Sequence, residues 1–140
     1  MGIFADAAAW YALYDQRVEQ YQAARALVDG FVDRRVTFFV TDYVIDEALT
    51  LIQGRLGHAT AVACGEWLMR SPIVKVIRIE PGQWDEAWRL FRRYDDKQFS
   101  FTDCTSFVVM RQHHLVGAFT FDHHFGQMGF ECGQLEPITL

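Results

Sequence analysis

Short apolar runs alternate along this chain with longer segments in which apolar residues recur at helical spacing. The short runs favour strands at residues 2–5, 36–40, 74–79, 116–121 and 135–138. The longer segments favour helices at residues 7–14, 18–33, 41–56, 59–71 and 100–113, and a further helix that starts at residue 81. Strands that alternate with helices of this length predict an α/β fold, in which helices cover both faces of a central, mainly parallel sheet of four to five strands.

The chain predicts a single domain, residues 1–140. It has no internal repeat, no low-complexity segment and no linker rich in proline or glycine. Of its residues 51% are hydrophobic and 15% aromatic, which is enough apolar surface for a substantial core. The formal net charge of −5 argues against a protein that coats nucleic acid by bulk electrostatics. It does not exclude a nuclease, because a cluster of metal-binding carboxylates lowers the formal charge in the same way.

The cysteines and the N-terminal sequence predict a cytoplasmic protein. Cys64, Cys104 and Cys132 are odd in number and lack C-x-x-C spacing, so we expect reduced core thiols rather than disulfides or a zinc site. No apolar stretch approaches the ~18 residues of a membrane span, and no secretion signal is evident. We therefore expect no membrane association.

Four acidic residues lie where apolar runs give way to helical segments, or on the helices themselves: Asp6, Glu47, Asp103 and Asp122. Because the carboxyl ends of parallel strands share one edge of a sheet, these side chains can converge although they are far apart in the sequence. Neighbouring carboxylates cannot all stay ionised unless a cation compensates them, and oxygen ligands suit Mg²⁺ or Mn²⁺. The pattern therefore indicates a metal-dependent active site.

Three of these acids also have an adequate local explanation. Asp6 and Asp122 each precede a helical segment and can act as N-caps. Asp103 follows Ser100 by three residues, which is the spacing of a capping box. None of the three therefore indicates a site when taken alone.

Glu47 is harder to explain by local structure. Val44 lies three residues before it, and Ala48 and Leu51 lie one and four residues after it, which places Glu47 on the apolar stripe of its helix. A charge on a core-facing stripe needs a partner, because burial of an isolated charge is costly. The alternatives are a buried ion pair with an arginine such as Arg78 and a metal site.

Other catalytic chemistries find little support in the sequence. The pairs His113–His114 and His123–His124 lack the H-E-x-x-H spacing of a zinc enzyme, so we expect surface or capping roles for them. The absence of G-x-S-x-G, P-loop and G-x-G-x-x-G motifs argues against a serine nucleophile and a nucleotide cofactor. Arg89, Arg92 and Arg93 could form a basic ridge for phosphates, although charged residues are also the normal outer face of an amphipathic helix.

Four segments, each containing one of the acids, resemble the four ordered motifs of PIN-domain ribonucleases. The segments are residues 3–13, 41–51, 100–107 and 120–125. Residues 125–130 also resemble the usual ending of the family's VapC-like toxins. The resemblance spans essentially the whole chain, and four motifs in the right order are far more specific than any one of them.

The resemblance implies a PIN-like three-layer α/β/α fold and a metal-dependent endoribonuclease that hydrolyses RNA phosphodiester bonds. Asp6, Asp103 and Asp122 would hold Mg²⁺ or Mn²⁺, and Glu47 would orient or deprotonate a bound water. It also implies the toxin component of a type II toxin–antitoxin pair, inhibited by a small cognate antitoxin that inserts a basic side chain among the acids. Such toxins usually form homodimers, and the abundant aromatic residues could supply the interface.

One departure from the family pattern bears on activity. Ala7–Ala8 stand where the family usually has Thr-Ser, so a hydroxyl expected near the metal or phosphate is missing. The alternatives are a housekeeping RNA-processing nuclease of the same family and a weakly active or non-catalytic RNA-binding regulator. A phospho-acceptor receiver domain fits less well, because receivers need adjacent acids after the first strand and a lysine after the last, and Asp6 stands alone.

Overall fold

A computed structural model describes residues 2–132 of the chain. Its strands are β1 Gly2–Ala5, β2 Thr37–Thr41, β3 Val74–Ile77, β4 Gly117–Phe119 and β5 Glu131–Cys132. Its helices are α1 Ala7–Ala12, α2 Tyr21–Asp33, α3 Asp42–Leu56, α4 His58–Arg70, α5 Pro81–Arg93, α6 Phe101–Gln112 and α7 His124–Gln127. All six predicted helices are present, and α7 is a short addition that the sequence pattern does not predict.

The strands form one sheet in the order β3-β2-β1-β4-β5, and every neighbouring pair is parallel. This confirms the predicted α/β class and the predicted parallel sheet. From β1 the chain adds β2 and β3 on one side, then crosses to add β4 and β5 on the other. The crevice between the carboxyl ends of β1 and β4 is therefore the topological switch point, the place where open α/β sheets bind ligands.

Two strands are shorter than the sequence pattern predicts, because side chains bind the backbone that would continue them. The predicted strand 74–79 stops at Ile77, and the backbone N–H of Ile79 donates to the Asp42 carboxylate at 3.0 Å. The predicted strand 116–121 contains only β4, beyond which Thr120 accepts the backbone N–H of Asp122 at 2.9 Å.

The last predicted strand and the last observed strand fall at different places. The strand predicted at 135–138 lies outside the described residues. β5, only two residues long, lies earlier and pairs with β4.

Aromatic side chains fill the core around β1 and α1. Phe4, Trp10 and Phe38 are fully buried, and the Trp10 ring meets the Phe38 ring edge-on at 5.7 Å. The indole N–H of Trp10 donates to the Ala5 carbonyl at 3.2 Å, which satisfies the buried donor and ties α1 to the end of β1. This packing fixes the position of Asp6, the residue that joins the two elements.

The helices pack in consecutive pairs, α3 against α4 and α5 against α6, and α3 also contacts α1 and α6. α3 therefore brings Glu47 beside the helix that follows Asp6 and the helix that carries Asp103. None of the helices within residues 2–132 is long and apolar enough to cross a membrane.

Candidate metal centre

Asp6 lies at the carboxyl end of β1 and caps α1. Its Oδ1 accepts a hydrogen bond from the Ala9 backbone N–H at 3.2 Å, so the predicted N-cap is present. The residue is only 8% exposed, and its Oδ2 accepts a hydrogen bond from the Thr120 hydroxyl at 2.6 Å. Capping leaves the carboxylate available to a site, since each oxygen keeps a further lone pair.

Asp103 lies in the first turn of α6, where the predicted capping box is present. Ser100 Oγ accepts the Asp103 backbone N–H at 3.0 Å, and Asp103 Oδ2 accepts the Ser100 backbone N–H at 3.0 Å. Among the described hydrogen bonds, none reaches Asp103 Oδ1. That oxygen is therefore free to bind a ligand.

Asp122 follows β4 but does not cap a helix in the predicted way. α7 begins at His124, and its N-cap position is occupied by His123. Asp122 Oδ1 instead accepts the backbone N–H of His124 at 2.9 Å, a turn that aspartate favours because its side chain can bond the backbone two residues on. This turn fixes the Asp122 carboxylate at the end of β4, the strand beside β1.

The structure corrects the prediction that Glu47 faces the core. The buried face of α3 is formed by Val44, Ala48 and Ile52, so Glu47 lies at the margin of the apolar stripe and is exposed. Ion pairing does not explain Glu47 either, because none of the ion pairs in residues 2–132 includes it and Arg78 is exposed.

All four acids line one small cavity of about 50 Å³. Its other lining residues are Ala7, Ala8, Val44, Thr102 and Ser106. A site needs only about 10–15 Å³ of this kind of volume to hold one water molecule, so the cavity has room for an ion together with bound water. The sequence prediction that four distant acids converge at one edge of the sheet is therefore confirmed in geometry, whereas their individual roles stay a prediction.

The pKa values of three of the acids are raised. Burial is the main cause of the rise in the pKa of Asp6 from its ordinary 3.8 to about 7, and the nearby Asp122 and Asp103 charges add to it. The pKa of Asp103 is also raised, first by burial of its carboxyl group and then by the Asp122 charge. The pKa of Glu47 is raised because its carboxyl group loses part of its hydration at the cavity, although the side chain as a whole is exposed, and because Asp103 lies nearby. The site thus concentrates negative charge that it does not itself neutralise.

The donor set of this cavity fits a small divalent cation. Within residues 2–132, no lysine or arginine lines the cavity. Carboxylate oxygens are the ligands that Mg²⁺ and Mn²⁺ prefer, and a cation at their centre would stabilise the ionised carboxylates against the burial and repulsion that raise their pKa values. Among the described residues, Asp122, His123 and His124 can also bring three ligand atoms within 4.8 Å of one another.

Thr120 belongs to the site although the sequence pattern does not single it out. Its fully buried hydroxyl donates to Asp6 Oδ2 at 2.6 Å and accepts the Asp122 backbone N–H at 2.9 Å, which joins the ends of β1 and β4. Ala7 and Ala8 line the cavity without a hydroxyl, as predicted. Asp6 therefore receives its hydroxyl partner from the end of β4 rather than from α1.

His124 is a second residue that the sequence pattern misses. Its Nδ1 lies 3.0 Å from Asp103 Oδ2 and 3.1 Å from Asp122 Oδ2, and its side chain is 15% exposed. The predicted surface or capping role suits His123, whose side chain is 77% exposed at the N-cap position of α7, but it is wrong for His124.

Comparison with known proteins agrees with this geometry. The PIN domain family model matches residues 3–131. The chain is 31% identical over 128 residues to the 23S rRNA-specific endonuclease VapC20 of Mycobacterium tuberculosis, and the match covers 91% of this chain and 95% of the relative.

Solved structures give the same result. The crystal structure of M. tuberculosis VapC20, described as a sarcin–ricin loop cleaving toxin, superimposes with a TM-score of 0.84 at 30% identity, covering 91% of this chain and 95% of that one. FitAcB from Neisseria gonorrhoeae shares the fold, with a TM-score of 0.65 at 16% identity and coverage of 99% of both chains. By its sequence and its fold, this chain belongs to the PIN-domain family.

Proposed function

We propose that this protein is a metal-dependent endoribonuclease and the toxin component of a type II toxin–antitoxin pair. The observation that carries the proposal is the convergence of Asp6, Glu47, Asp103 and Asp122 on one small cavity at the topological switch point of the sheet. The match to a 23S rRNA-specific endonuclease, 31% identical over 91% of this chain, supports RNA as the substrate.

The proposed chemistry assigns a different task to each acid. Asp6, Asp103 and Asp122 hold a Mg²⁺ or Mn²⁺ ion, which when bound lowers the pKa of water and offsets charge on the phosphate. Glu47, exposed at the margin of the α3 stripe, would accept the proton of the water that attacks phosphorus. The bond from phosphorus to one ribose oxygen would break in the same step, and that oxygen would take a proton from solvent. The raised pKa of Glu47 makes it a stronger base than an ordinary glutamate once ionised.

The relatives define the RNA to test first. Because VapC20 is described as cutting the sarcin–ricin loop of 23S rRNA, we propose a structured ribosomal RNA stem-loop as the substrate class. A cytoplasmic location is part of this proposal, because that substrate is cytoplasmic and Cys64 and Cys104 are free thiols.

Incubation of the protein with intact 23S rRNA tests this function. We expect one dominant cut within the sarcin–ricin stem-loop in Mg²⁺ or Mn²⁺, mapped by primer extension, and no cut in excess EDTA. Uncut rRNA under all metal conditions, or cutting that EDTA does not reduce, would exclude the proposed activity. Bound but uncut rRNA would favour the alternative of an RNA-binding regulator. The lack of a hydroxyl at Ala7 and Ala8 supports this alternative.

A small antitoxin is the proposed protein partner. The four acids line a cavity to which the described part of the chain contributes no lysine or arginine, and a basic side chain from a partner would compensate them in place of the metal. Co-purification with the product of an adjacent short reading frame, lost when its basic residue is replaced, is the expected result. A housekeeping nuclease, the other alternative, would have no such partner.

A homodimer is also proposed, formed through an aromatic patch that consists of Trp84, Trp88, Phe91 and Phe101. The side chains of Trp84, Trp88 and Phe91 are 41%, 44% and 40% exposed, and each packs against the Phe101 ring. Phe101 begins α6, the helix that also carries Asp103. Exposed apolar patches of this kind commonly mark interfaces.

Trp88→Glu tests the dimer. We expect the wild type to sediment as a dimer and Trp88→Glu as a monomer, because a charge buried in the interface without a partner is costly. Val62→Glu is the matched control, since Val62 is 42% exposed on α4 and lies outside the aromatic patch. A wild-type monomer at micromolar concentration, or a dimer that survives Trp88→Glu, would exclude this interface.

A further inference from the structure

We propose that His124 is a positioning residue, which holds the Asp103 and Asp122 carboxylates in the geometry that binds the metal. The inference rests on the proposed function, and it concerns a residue that stands outside the four acids. It follows from where the imidazole Nδ1 lies, how the ring is held, and which carboxylate oxygens remain free.

The imidazole bridges two carboxylates that come from different parts of the fold. Nδ1 lies 3.0 Å from Asp103 Oδ2 on α6 and 3.1 Å from Asp122 Oδ2 beyond β4. A ring that carries its proton on Nδ1 donates a hydrogen bond to Asp103 Oδ2. Asp122 Oδ2 lies within ion-pairing distance of the same nitrogen. Without this donor, the two negative oxygens would face each other and the side chains would turn apart.

Packing holds the ring in this position. The His124 backbone N–H donates to Asp122 Oδ1 at 2.9 Å, which holds the start of α7 against the carboxylate whose Oδ2 lies 3.1 Å from the ring Nδ1. The ring meets Phe99 edge-on at 5.6 Å, and Phe99 is buried against Phe107. With its side chain only 15% exposed, His124 has little room for another rotamer.

The hydrogen bonds leave ligand positions open on the carboxylates. Asp103 Oδ2 accepts both the Ser100 backbone N–H and the His124 ring, while Oδ1 accepts no bond from the described residues. Metal-binding carboxylates are typically oriented by such outer hydrogen bonds. The hard ions that suit this site prefer oxygen to imidazole nitrogen, so His124 acts through the carboxylates rather than as a ligand.

Two variants separate the hydrogen bond from the packing. His124→Phe keeps a ring against Phe99 but removes the donor, whereas His124→Asn places an amide N–H near the position of Nδ1. We expect His124→Phe to weaken Mn²⁺ binding by about 10- to 100-fold, the usual effect of losing an outer hydrogen bond to a metal ligand. His124→Asn should stay within about threefold of the wild type, because it keeps the donor. Mn²⁺ binding is measured by EPR without RNA, and thermal unfolding in EDTA checks that both variants fold.

Asp103→Asn in the same titration separates failure of this inference from failure of the proposed function. Wild-type Mn²⁺ affinity in His124→Phe, with reduced affinity in Asp103→Asn, would overturn the positioning role and leave the metal centre standing. A loss in His124→Asn without one in His124→Phe would assign the effect to ring packing, and equal losses in both would show that the Nδ1 donor does not account for it; either result would also overturn the positioning role. Strong ¹⁴N couplings of directly bound imidazole in the Mn²⁺ spectrum would show a ligand instead. Wild-type affinity in Asp103→Asn would remove the metal centre itself and, with it, this inference.

Discussion

Replacement of Asp103 by asparagine is expected to lower RNA cleavage at least about a hundredfold while leaving the fold intact, since groups that stabilise transition-state charge commonly contribute this much. Asparagine is nearly the same shape and can keep the capping box, because its carbonyl oxygen can accept the Ser100 backbone N–H that Asp103 Oδ2 accepts now. It removes the negative charge that the proposed ion needs. Initial rates of stem-loop cleavage at saturating Mn²⁺ are the measurement.

Asp46→Asn is the matched control for this loss. Asp46 is an exposed acid one residue before Glu47 on α3, and it does not line the cavity. The Asp46→Asn variant therefore changes the net charge by the same amount without altering a proposed ligand. Its RNA cleavage rate should stay within about twofold of the wild type. Equal rates for Asp103→Asn and the wild type would contradict the assignment of Asp103.

In the presence of EDTA, the free energy of unfolding of the wild-type protein is expected to fall as the pH rises from about 4 to about 7. Asp6→Asn is expected to abolish most of this fall. Burial raises the pKa of Asp6 from 3.8 in its ordinary state to about 7 in the folded protein. Between these two values the unfolded chain releases a proton that the folded chain keeps, so the unfolded state gains relative to the folded state as the pH increases. Each pKa unit corresponds to about 1.4 kcal/mol, so the loss from Asp6 has an upper value of about 4 kcal/mol.

The comparison across pH identifies Asp6 as the cause. In Asp6→Asn the introduced amide can keep the cap on Ala9, and the Thr120 hydroxyl can accept a hydrogen bond where it now donates one. We expect urea unfolding curves in EDTA to show the two proteins diverging above about pH 4, with the variant the more stable at pH 7. Saturating Mn²⁺ should stabilise the wild type more than Asp6→Asn and so remove most of the stability difference at pH 7, because the ion binds the folded carboxylates. Parallel pH profiles for the two proteins would contradict a buried, protonated Asp6.

The convergence of Asp6 and Asp122 could be predicted from the sequence, because it depends on two strands that run parallel, whereas Glu47 and Asp103 are brought to them by helix packing. Asp6 and Asp122 each follow an apolar strand, and parallel strands place such residues on one edge. The capping roles of Asp6 and Asp103 were also predictable, because they depend on local sequence spacing. The cap and the site use different lone pairs of one carboxylate. A cap therefore does not argue against a site.

The orientation of Glu47 could not be predicted, because helical periodicity locates an apolar stripe but not its centre. Val44, Ala48 and Leu51 suggest one centre for the stripe, whereas the structure buries Ile52 and leaves Leu51 only half-buried. A shift of one residue rotates the stripe by about 100° around the helix axis, which is enough to move Glu47 from the core to its margin.

The distinction between His123 and His124 was equally inaccessible. The two residues are identical and adjacent, and only the turn made by Asp122 directs one ring toward the acids and the other to solvent. β5 was missed for a different reason, since two residues are too few to show the alternation that indicates a strand.

The location of Mn²⁺ in crystals soaked with the ion tests the proposed metal centre most directly. We expect one dominant anomalous peak in the cavity, with oxygens of Asp6, Asp103 and Asp122 bound to the ion either directly at about 2 Å or through an intervening water. A peak elsewhere on the protein, or an empty cavity at Mn²⁺ concentrations that support cleavage, would contradict it.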